Sequence, residues 1–407
     1  MSEWKNQTLG NLFTVKNDKT KQLNSSEYQA VGKYPIVDQS NNHICGYSDE
    51  ISKLYDTNLP VTIFGDHTRH VKYIDFPFIA GADGTQILKP ISLDDNFFYY
   101  IVLYASEKIG NYGYDRHLKH LREYKAYYPT YIPTQRKIAR ILSKADAVIE
   151  KTQAAIAKYK AIKQGMLHDL FTRGIDSATN KLRPIYEDAP HLYKQSKLGW
   201  IPREWEVEKF KNICDLITDG SHFSPKPIED GAIIANVKDI GEFGIDYESC
   251  TRISFEEFDF LKKQNCSPKI GDVLLSKDGT IGRVVLFNDF KEIVILSSIA
   301  ILRTSLLVNS EYFYSFLKSE YFNKQMLVKT SGSALKRIVL RDINTFLLAY
   351  PQNKTEQKNI SNRIIKIEKK LQTEQAYLRK LQQIKAGLMA DFLSGKKKVT
   401  VDDDPGN

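Results

Sequence analysis

A short polar segment early in the chain carries residue types that could bind a metal ion. Asp66, His67 and His70 lie within one predicted turn, and imidazole and carboxylate groups are common ligands of Zn²⁺. Two histidines three residues apart in a loop are nevertheless a weak pattern, and a polar surface turn explains the same residues. We therefore expect no metal site in this chain.

A second group, Asp115, Glu123 and Lys125, imitates the carboxylate and lysine cluster of a nuclease. An internal repeat, described below, aligns these positions with residues that lack this chemistry. The aligned residues are Arg337, Thr345 and Leu347. Chance spacing is the simpler explanation, so we expect no catalytic residues here.

Two motifs of nucleotide chemistry are missing from the sequence. A methyltransferase that modifies an amino group holds its flipped base with an N/D-P-P-Y/F loop, but the chain has no Pro-Pro dipeptide. A phosphate-binding G-x-x-x-x-G-K-[ST] loop is missing as well. These absences predict that the chain by itself neither methylates DNA nor hydrolyses ATP.

The elements that would position any site are organised around a repeated segment. Residues 134–172 return as residues 356–394, at a fixed offset of 222 positions and without a gap. Identical residues at this offset include Gln135 and Gln357, and Gly165 and Gly387. Both copies have the composition of a long helix, and Thr134 is a plausible N-cap for the first. Two equivalent long helices are therefore predicted.

Apolar residues in both copies recur at steps of 3, 4 or 7, which indicates a coiled-coil seam. Each helix would be about 58 Å long at 1.5 Å per residue, so its own domain could not bury it. The natural partner is the other copy, lying antiparallel; two ordinary amphipathic helices in separate cores are the alternative. Polar residues interrupt both seams at Thr152 and Glu374 and at Lys163 and Lys385, where they can fix the register. The predicted seam residues are Ile138, Leu142, Ile149, Ile156, Tyr159, Met166 and Leu170 in the first helix and Ile360, Ile364, Leu371, Leu378, Leu381, Leu388 and Phe392 in the second.

The charge of the chain is concentrated in these helices. The 407 residues carry a net charge of +9, to which residues 134–172 contribute 8 Lys/Arg against 3 Asp/Glu, and residues 356–394 contribute 8 against 4. The remainder sums to zero, so any nucleic-acid contact by the globular parts must use local patches. The four cysteines form no C-x-x-C pair, and no apolar stretch is long enough for a membrane span or a secretory signal. We expect a cytoplasmic protein without a membrane partner.

The globular parts are also duplicated. Mixed short strands and helices predict two α/β (α+β) domains. Five residues near the start of each domain match at an offset of 201, namely Trp4, Leu9, Asn11, Leu12 and Val15 with Trp205, Phe210, Asn212, Ile213 and Leu216. The loops SNNHICGYSDE and DGSHFSPKP, in contrast, have diverged. The predicted order is a domain at 1–130, a helix at 131–174, a connecting loop at 175–200, a domain at 201–352, a helix at 353–395 and a frayed tail at 396–407.

Together these features resemble the specificity subunit of type I restriction-modification systems. The matching segments are the openings WKNQTLGNLF and WIPREWEVEKF, the loop DGSHFSP, GDVLLSKDGTIG, SGSALKRIVLRDI, and the Q-x-x-I that follows a proline at each helix start. The resemblance implies two target recognition domains that each read half of a bipartite DNA site. It also implies that the paired helices set the gap between the half-sites and dock two methylation subunits. The first half departs from the pattern, because Gly65-Asp66-His67-Thr68-Arg69 replaces Lys277-Asp278-Gly279-Thr280.

Reading a base edge requires side chains such as Arg or Lys for guanine and Asn or Gln for adenine. The polar loops of both domains supply such groups. In the first domain the candidate DNA-binding residues are Gln39, Asn41, Asn42, His43, His67 and Arg69. In the second domain they are Ser221, His222, Lys226, Lys277, Asp278, Lys336 and Arg337.

The resemblance implies that the chain is a non-catalytic partner in a larger complex. Two methylation subunits and, through them, restriction and motor subunits would form an adenine methyltransferase and ATP-dependent endonuclease. S-adenosylmethionine, ATP and Mg²⁺ would then bind to those partners, and this chain would hold no cofactor. Two alternatives stay open: the recognition subunit of a type IIB-like enzyme, and a coiled-coil scaffold that binds no DNA.

Overall fold

The computed structural model describes residues 3–82, 84–110, 116–330 and 337–399. The chain forms two compact units. The first consists of Met1–Gln153 with Tyr377–Asn407, and the second consists of Ala154–Ala376. Each unit therefore combines one globular domain with a segment from each of two long helices.

The globular part of the first unit is built from short strands and two helices. Its strands are β1 (Trp4–Thr8), β2 (Phe13–Val15), β3 (Tyr34–Val37), β4 (Gly46–Ser48), β5 (Leu54–Tyr55), β6 (Val61–Gly65), β7 (Val71–Ile74), β8 (Phe78–Ala80), β9 (Thr85–Pro90) and β10 (Lys125–Pro129). Its helices are α1 (Asp95–Lys108) and α2 (His117–Glu123), and the long helix α3 (Ile132–Thr172) follows. Asp94 caps α1, because its carboxylate accepts hydrogen bonds from the first backbone N–H groups of the helix.

Three sheets organise this domain. One has the order β2-β9-β6-β7 and is antiparallel throughout, a second has the order β4-β3-β8-β5 with β3 parallel to β8, and β1 pairs with β10. The aromatic face of α1 supplies Phe97, Phe98 and Ile101 to the main core. Burial of these large apolar side chains is the dominant stabilising contribution.

The second unit has the same plan. Its strands are β15 (Trp205–Lys209), β16 (Cys214–Asp219), β17 (Ala232–Ala235), β18 (Thr251–Ile253), β19 (Val273–Ser276), β20 (Val284–Leu286), β21 (Ile293–Ile295), β22 (Ile299–Thr304) and β23 (Leu347–Pro351), after the linker strands β11 (Ile175–Asp176), β12 (Lys181–Leu182), β13 (Tyr193–Ser196) and β14 (Gly199–Pro202). Its helices are α4 (Phe210–Ile213), α5 (Phe255–Lys263), α6 (Ser310–Leu317), α7 (Glu320–Thr330), α8 (Leu340–Ile343) and the long α9 (Lys354–Leu393).

Sheet topology confirms the predicted duplication. The order β16-β22-β19-β20 repeats β2-β9-β6-β7, and β17 runs parallel to β21 as β3 does to β8. The register agrees residue by residue, because Trp4 lies opposite Pro129 in one unit and Trp205 lies opposite Pro351 in the other. The segment GDVLLSKDGTIGRVVLF forms the antiparallel strands β19 and β20 and the turn between them. The mixed α and β class is therefore correct for both domains.

Both long helices contribute to the core of each unit. In the first unit, Ile138 and Leu142 of α3 share a core with Met389 and Phe392 of α9. In the second unit, Leu170 of α3 shares a core with residues of α9. The start of one helix thus packs with the end of the other, which is the antiparallel arrangement that the seam predicts, and the alternative of separate cores is wrong. Every predicted seam residue is buried or half-buried: Ile138, Leu142, Ile156, Leu170, Ile360, Ile364, Leu371 and Phe392 are buried, and Ile149, Tyr159, Met166, Leu378, Leu381 and Leu388 are half-buried.

An ion pair joins the two helices in each unit. In the first unit Lys385 Nζ lies 2.5 Å from Asp146 Oδ1, and in the second Lys163 Nζ lies 2.5 Å from Glu368 Oε1. The two pairs are equivalent, because both partners are related by the 222-residue offset. A tyrosine of the domain donates to each carboxylate: Tyr100 to Asp146 at 2.7 Å and Tyr314 to Glu368 at 2.8 Å. The lysine interruptions of the seam therefore link the two helices, and the carboxylates that they pair with also bind the domain. Thr152, in contrast, donates within its own helix, to Val148 O at 2.8 Å.

Residues 175–200 were predicted as a connecting loop but contain two short hairpins, β11–β12 and β13–β14. Asn180, with positive φ, lies in the turn of the first hairpin, and Gly199, also with positive φ, opens β14 directly after the turn of the second. Arg183 in this segment forms a buried ion pair with Glu356 of α9 at 2.6 Å. The loop expectation was wrong because strands this short have too little periodicity to detect. Helix α3 also begins at Ile132, ahead of the predicted N-cap Thr134, which is itself buried.

Candidate nucleic-acid interface

The loop after β3 and the turn after β6 lie together in the first unit. Gln39 accepts a hydrogen bond from the backbone N–H of His67 at 3.1 Å through Oε1. The backbone carbonyl of Gln39 accepts from Thr68 Oγ1 at 2.5 Å and lies 3.3 Å from His70 Nδ1. The structure thus brings the predicted residues Gln39 and His67 into one surface. Arg69, also predicted, has a positive φ, and its guanidinium donates to Ile109 O at 2.9 Å.

A buried lysine lies beneath this loop. Lys72 of β7 is only 6% exposed, and its ammonium donates to the carbonyl of Asp38 at 2.7 Å and to the carbonyl of Asn42. Its Nζ also lies 3.9 Å from the Asp38 carboxylate. Burial lowers the pKa of Lys72, and the neighbouring Cys45 sulfur and Asp38 carboxylate oppose this shift.

Asp38 is held in turn by hydrogen bonds. Burial alone would raise the pKa of the Asp38 carboxyl, but hydrogen bonds from Cys45 and Ser40 bring this pKa below its ordinary value. Asn41, Asn42 and His43 project from the loop and are exposed. The start of the loop at Asp38 is therefore fixed by hydrogen bonds, while its polar tip is accessible to solvent.

A cavity of about 540 Å³ opens beside the tip of this loop. Asn41, Arg69 and His70 line one side, and Ser106 and Glu107 at the end of α1 line another. Sequence reasoning missed Ser106 and Glu107, because they end a helix whose aromatic residues indicate only a core element. Their proximity to Asn41 arises from the tertiary fold, for which the sequence carries no local signal.

The corresponding turn of the second unit is organised by Lys277. This side chain is 2% exposed, and its Nζ lies 2.9 Å from Asp219 Oδ2. Its backbone N–H donates to Ser298 O, and its carbonyl accepts from the N–H of Ile338, both at 2.9 Å. The prediction that Lys277 contacts a base is not supported, because a buried and paired ammonium cannot reach a base edge. A charged residue in a polar turn gave no signal of this burial.

The remaining predicted residues of the second unit divide into buried and exposed groups. Ser221 is buried, and its hydroxyl donates to Phe223 O at 2.6 Å, so it stabilises the loop and is not available for a base. His222 and Lys226 are exposed. Arg337 Nε lies 3.6 Å from Asp278 Oδ2, and both side chains are about half exposed. Lys336 lies outside the described residues.

A family model for the type I restriction modification DNA specificity domain matches residues 1–159 and 202–385, which together make up most of the chain. The chain belongs to this specificity family. The MjaVIII type I restriction enzyme specificity subunit of Methanocaldococcus jannaschii is 27% identical over 276 residues, which are 65% of this chain and 60% of that protein. The putative MjaX specificity subunit of the same organism is 24% identical over 267 residues, which are 65% of this chain and 57% of that protein. The chain therefore spans less than two thirds of the length of these relatives.

The fold of the chain also matches a solved member of this family. The crystal structure of a type I restriction-modification S subunit from M. genitalium aligns with a TM-score of 0.63, covering 98% of this chain and 97% of that chain. The two sequences are 17% identical, so this likeness concerns the fold. It extends over both domains and both long helices.

In the present chain, the polar loops SNNHICGYSDE and DGSHFSPKP do not occupy equivalent positions in the two domains. SNNHICGYSDE begins between β3 and β4, whereas DGSHFSPKP begins at the end of β16 and leads toward β17. The counterpart of the β3–β4 loop is the segment between β17 and β18, which carries Asn236 and the exposed Lys238. The comparison of the two loops as counterparts was wrong because divergent loops of unequal length leave no residues to align.

Neither a metal site nor a membrane span is found in the part of the chain that the structure describes. No group of three or more His, Cys, Asp or Glu side chains in these residues is arranged to hold a metal ion. Asp66 of the His67 and His70 segment is buried, and its Oδ1 accepts from the N–H of Leu118 at 2.7 Å. No described helix is long and apolar enough to cross a bilayer.

Proposed function

We propose that this chain is the DNA-specificity subunit of a type I restriction-modification complex, in which each unit reads one half of a bipartite target. The observation that carries the proposal is a duplicated fold, within the specificity family, whose two copies present different polar loops. Exposed candidates such as Asn41 and His43 in one unit and His222 and Arg337 in the other have the hydrogen-bonding groups that base edges require. Exposed lysines and arginines nearby would contact phosphates and position each unit.

In this proposal the chain provides recognition and assembly, and partner subunits provide the chemistry. The antiparallel helices set the gap between half-sites and dock two methylation subunits, which in turn recruit the restriction and motor subunits. S-adenosylmethionine, ATP and Mg²⁺ bind to those partners. Base flipping, which gives a methylating enzyme access to its target atom, also belongs to the methylation subunit.

Methylome sequencing tests this function. The chain and the methylase encoded beside it are expressed in a host without type I systems, either unchanged or with residues 3–130 replaced by the equivalent domain of a relative with another target. We expect a split methylated motif in which the replacement changes only one half. If both proteins are expressed and co-purify but no new methylated motif is found, the proposal is contradicted. If the two proteins do not co-purify, the chosen methylase is not the partner of this chain.

Lengthening both helices tests their role in spacing. Four residues, about one turn, are inserted after Gln153 in α3 and after Gln375 in α9, between the two helix-to-helix ion pairs. Each helix gains about 6 Å, which corresponds to roughly two base-pair steps of 3.4 Å. We expect a longer gap with both half-sites unchanged, measured by the same sequencing. Four exposed residues inserted after Phe290, outside the helices, serve as the control, and altered half-sites in the helix variant would contradict the assignment.

A further inference from the structure

We infer that Lys72 and Lys277 are positioning residues for DNA recognition: each uses a buried ammonium group to hold the candidate reading loops of its own unit in place, and neither reads a base. The inference rests on the proposed function and adds to it the residues that give the loops their shape. Lysine is rarely buried without a specific set of partners, because removing an ammonium from water is costly. Both residues have such partners: Asp38 and Asn42 lie in the loop after β3, and Asp219 is the last residue of β16, where the loop that carries His222 begins.

Lys72 holds together the two ends of the segment from Asp38 to Asn42, in the loop after β3. Its ammonium donates to the carbonyls of Asp38 and Asn42 and to Cys45 Sγ at 3.8 Å, so it bridges both ends of the segment between residues 38 and 42. The Asp38 carboxylate, 3.9 Å away, supplies a nearby negative charge. This segment includes the candidates Gln39 and Asn41. An apolar side chain at position 72 would leave two carbonyl groups without their donor, and the segment would lose its fixed conformation.

Lys277 connects three segments of the second unit. Its ammonium pairs with Asp219, which also lies 3.3 Å from Nε2 of the candidate His222. Its backbone bonds to Ser298, and Ile338, the neighbour of the candidate Arg337, donates to its carbonyl. The ammonium group therefore holds the segment that carries His222, whereas Arg337 is held near it by a backbone hydrogen bond that does not depend on the side chain at position 277.

Comparison of the units shows that the two lysines do not come from one inherited feature of the fold. Strand register aligns Lys72 with Val285 of β20, because Phe64 pairs with Val71 as Leu275 pairs with Val284. Lys72 therefore has an apolar counterpart in the second unit.

Lys277 in turn aligns with Asp66. Each carbonyl accepts a hydrogen bond from the start of a short helical segment later in its unit: that of Lys277 from the N–H of Ile338, just before α8, and that of Asp66 from the N–H of His117, the first residue of α2. The duplicated fold thus tolerates an apolar or an acidic residue where the other unit has its buried lysine. Each lysine occurs where acceptors lie in or directly before its own candidate loop, Asp38 and Asn42 for Lys72 and Asp219 for Lys277.

The experiment measures sequence preference for each half-site separately. Lys72→Met and Lys277→Met are each co-expressed with the methylase, and methylation is read on two site libraries, one randomised in the first half-site and one in the second. We expect Lys72→Met to reduce base discrimination about tenfold in the first half-site only, which is the contribution of one good bidentate contact. Lys277→Met is expected to do the same in the second half-site only.

Lys89→Met is the matched control. Lys89 of β9 is also partly buried and paired, with Asp95 at 2.8 Å, but it contacts neither candidate loop. A purely structural lysine would lower methylation of all sites in proportion and leave the preference unchanged, as expected for Lys89→Met. That result for both Lys72→Met and Lys277→Met would overturn the inference.

A methionine variant that fails to assemble, and an unchanged chain that yields no split motif, are two outcomes with different meanings. If a methionine variant fails to assemble, Lys72→Gln or Lys277→Gln, which removes the positive charge but keeps a polar side chain, is read on the same libraries, where unchanged discrimination at the affected half-site would reject the inference for that residue. If the unchanged chain itself produces no split motif, the proposed function fails, and this result does not depend on the lysines.

Discussion

Replacing Leu371 by Asp is expected to destabilise the second unit by about 3 to 5 kcal/mol and to abolish assembly with the methylation subunit. Leu371 is 0% exposed on the seam face of α9. A carboxylate at this position would be buried without a partner, and an unpaired buried charge is among the most destabilising changes that one substitution can make. Urea unfolding and co-purification with the methylase measure the two effects.

Ile162→Asp provides the control for this prediction. Ile162 is an apolar residue of the other long helix in the same unit, but it is 40% exposed. A carboxylate there stays in contact with water, so the expected change is within about 0.5 kcal/mol. If the two variants unfold at the same urea concentration, the assignment of Leu371 to a buried seam is wrong. Ile149, the counterpart of Leu371 in α3, is half-buried and should give an intermediate effect.

The helix seam could be predicted from the sequence because its signal is local. A period of 3.5 or 3.6 residues determines which side chains share a face, whatever that face contacts. The duplication strengthened this prediction, because residues related by the 222-residue offset, such as Leu142 and Ile364, are both apolar and are expected to lie at the same position of the seam. The partners of the polar interruptions could not be predicted in this way. Lys163 meets Glu368 only after two segments about 200 residues apart have paired.

The candidate interface shows the same limit more strongly. Loop composition identified polar residues, and Asn41, His222 and Arg337 are accessible as expected. Loop composition could not distinguish residues that are able to contact a base from residues that hold the loop in place. Whether a charged side chain is buried depends on acceptors supplied by distant strands. Lys277 illustrates this: Asp219, its partner, lies 58 positions earlier in the chain. Lys72 was missed altogether, since one lysine in an otherwise ordinary strand carries no signal.

The ion pair between the helices leads to the second prediction with a large expected effect. Glu368 is buried, and its carboxylate receives both Lys163 at 2.5 Å and Lys318 at 3.0 Å. Burial alone would raise the pKa of Glu368, but the charges of Lys318 and Lys163 outweigh it, so the pKa lies below its ordinary value. Burial also lowers the pKa of Lys318, and attraction to Glu368 opposes this shift. One carboxylate thus compensates two largely buried ammonium groups.

Glu368→Gln is expected to cost about 3 kcal/mol, because it leaves both ammonium groups without their counter-charge. For a unit of this size the melting temperature should fall by roughly 6 to 12 °C. Asp146→Asn, the equivalent change in the first unit, removes a partner from the single and more exposed Lys385 and should cost about 1 kcal/mol or less. Equal losses in the two variants would contradict this account of the ion pairs.

The pH dependence of the same variant separates lost charge from altered packing. A carboxyl group whose folded-state pKa is lowered contributes stability above its unfolded-state pKa, and that contribution disappears as the pH falls through the folded-state value. The stability difference between the unchanged chain and Glu368→Gln should therefore be constant near neutral pH and become smaller in acid. A difference that stays constant throughout the acid range would mean that glutamine disturbs the packing around Tyr314. Its decrease in acid would show that the ionised Glu368 carboxylate itself stabilises the second unit.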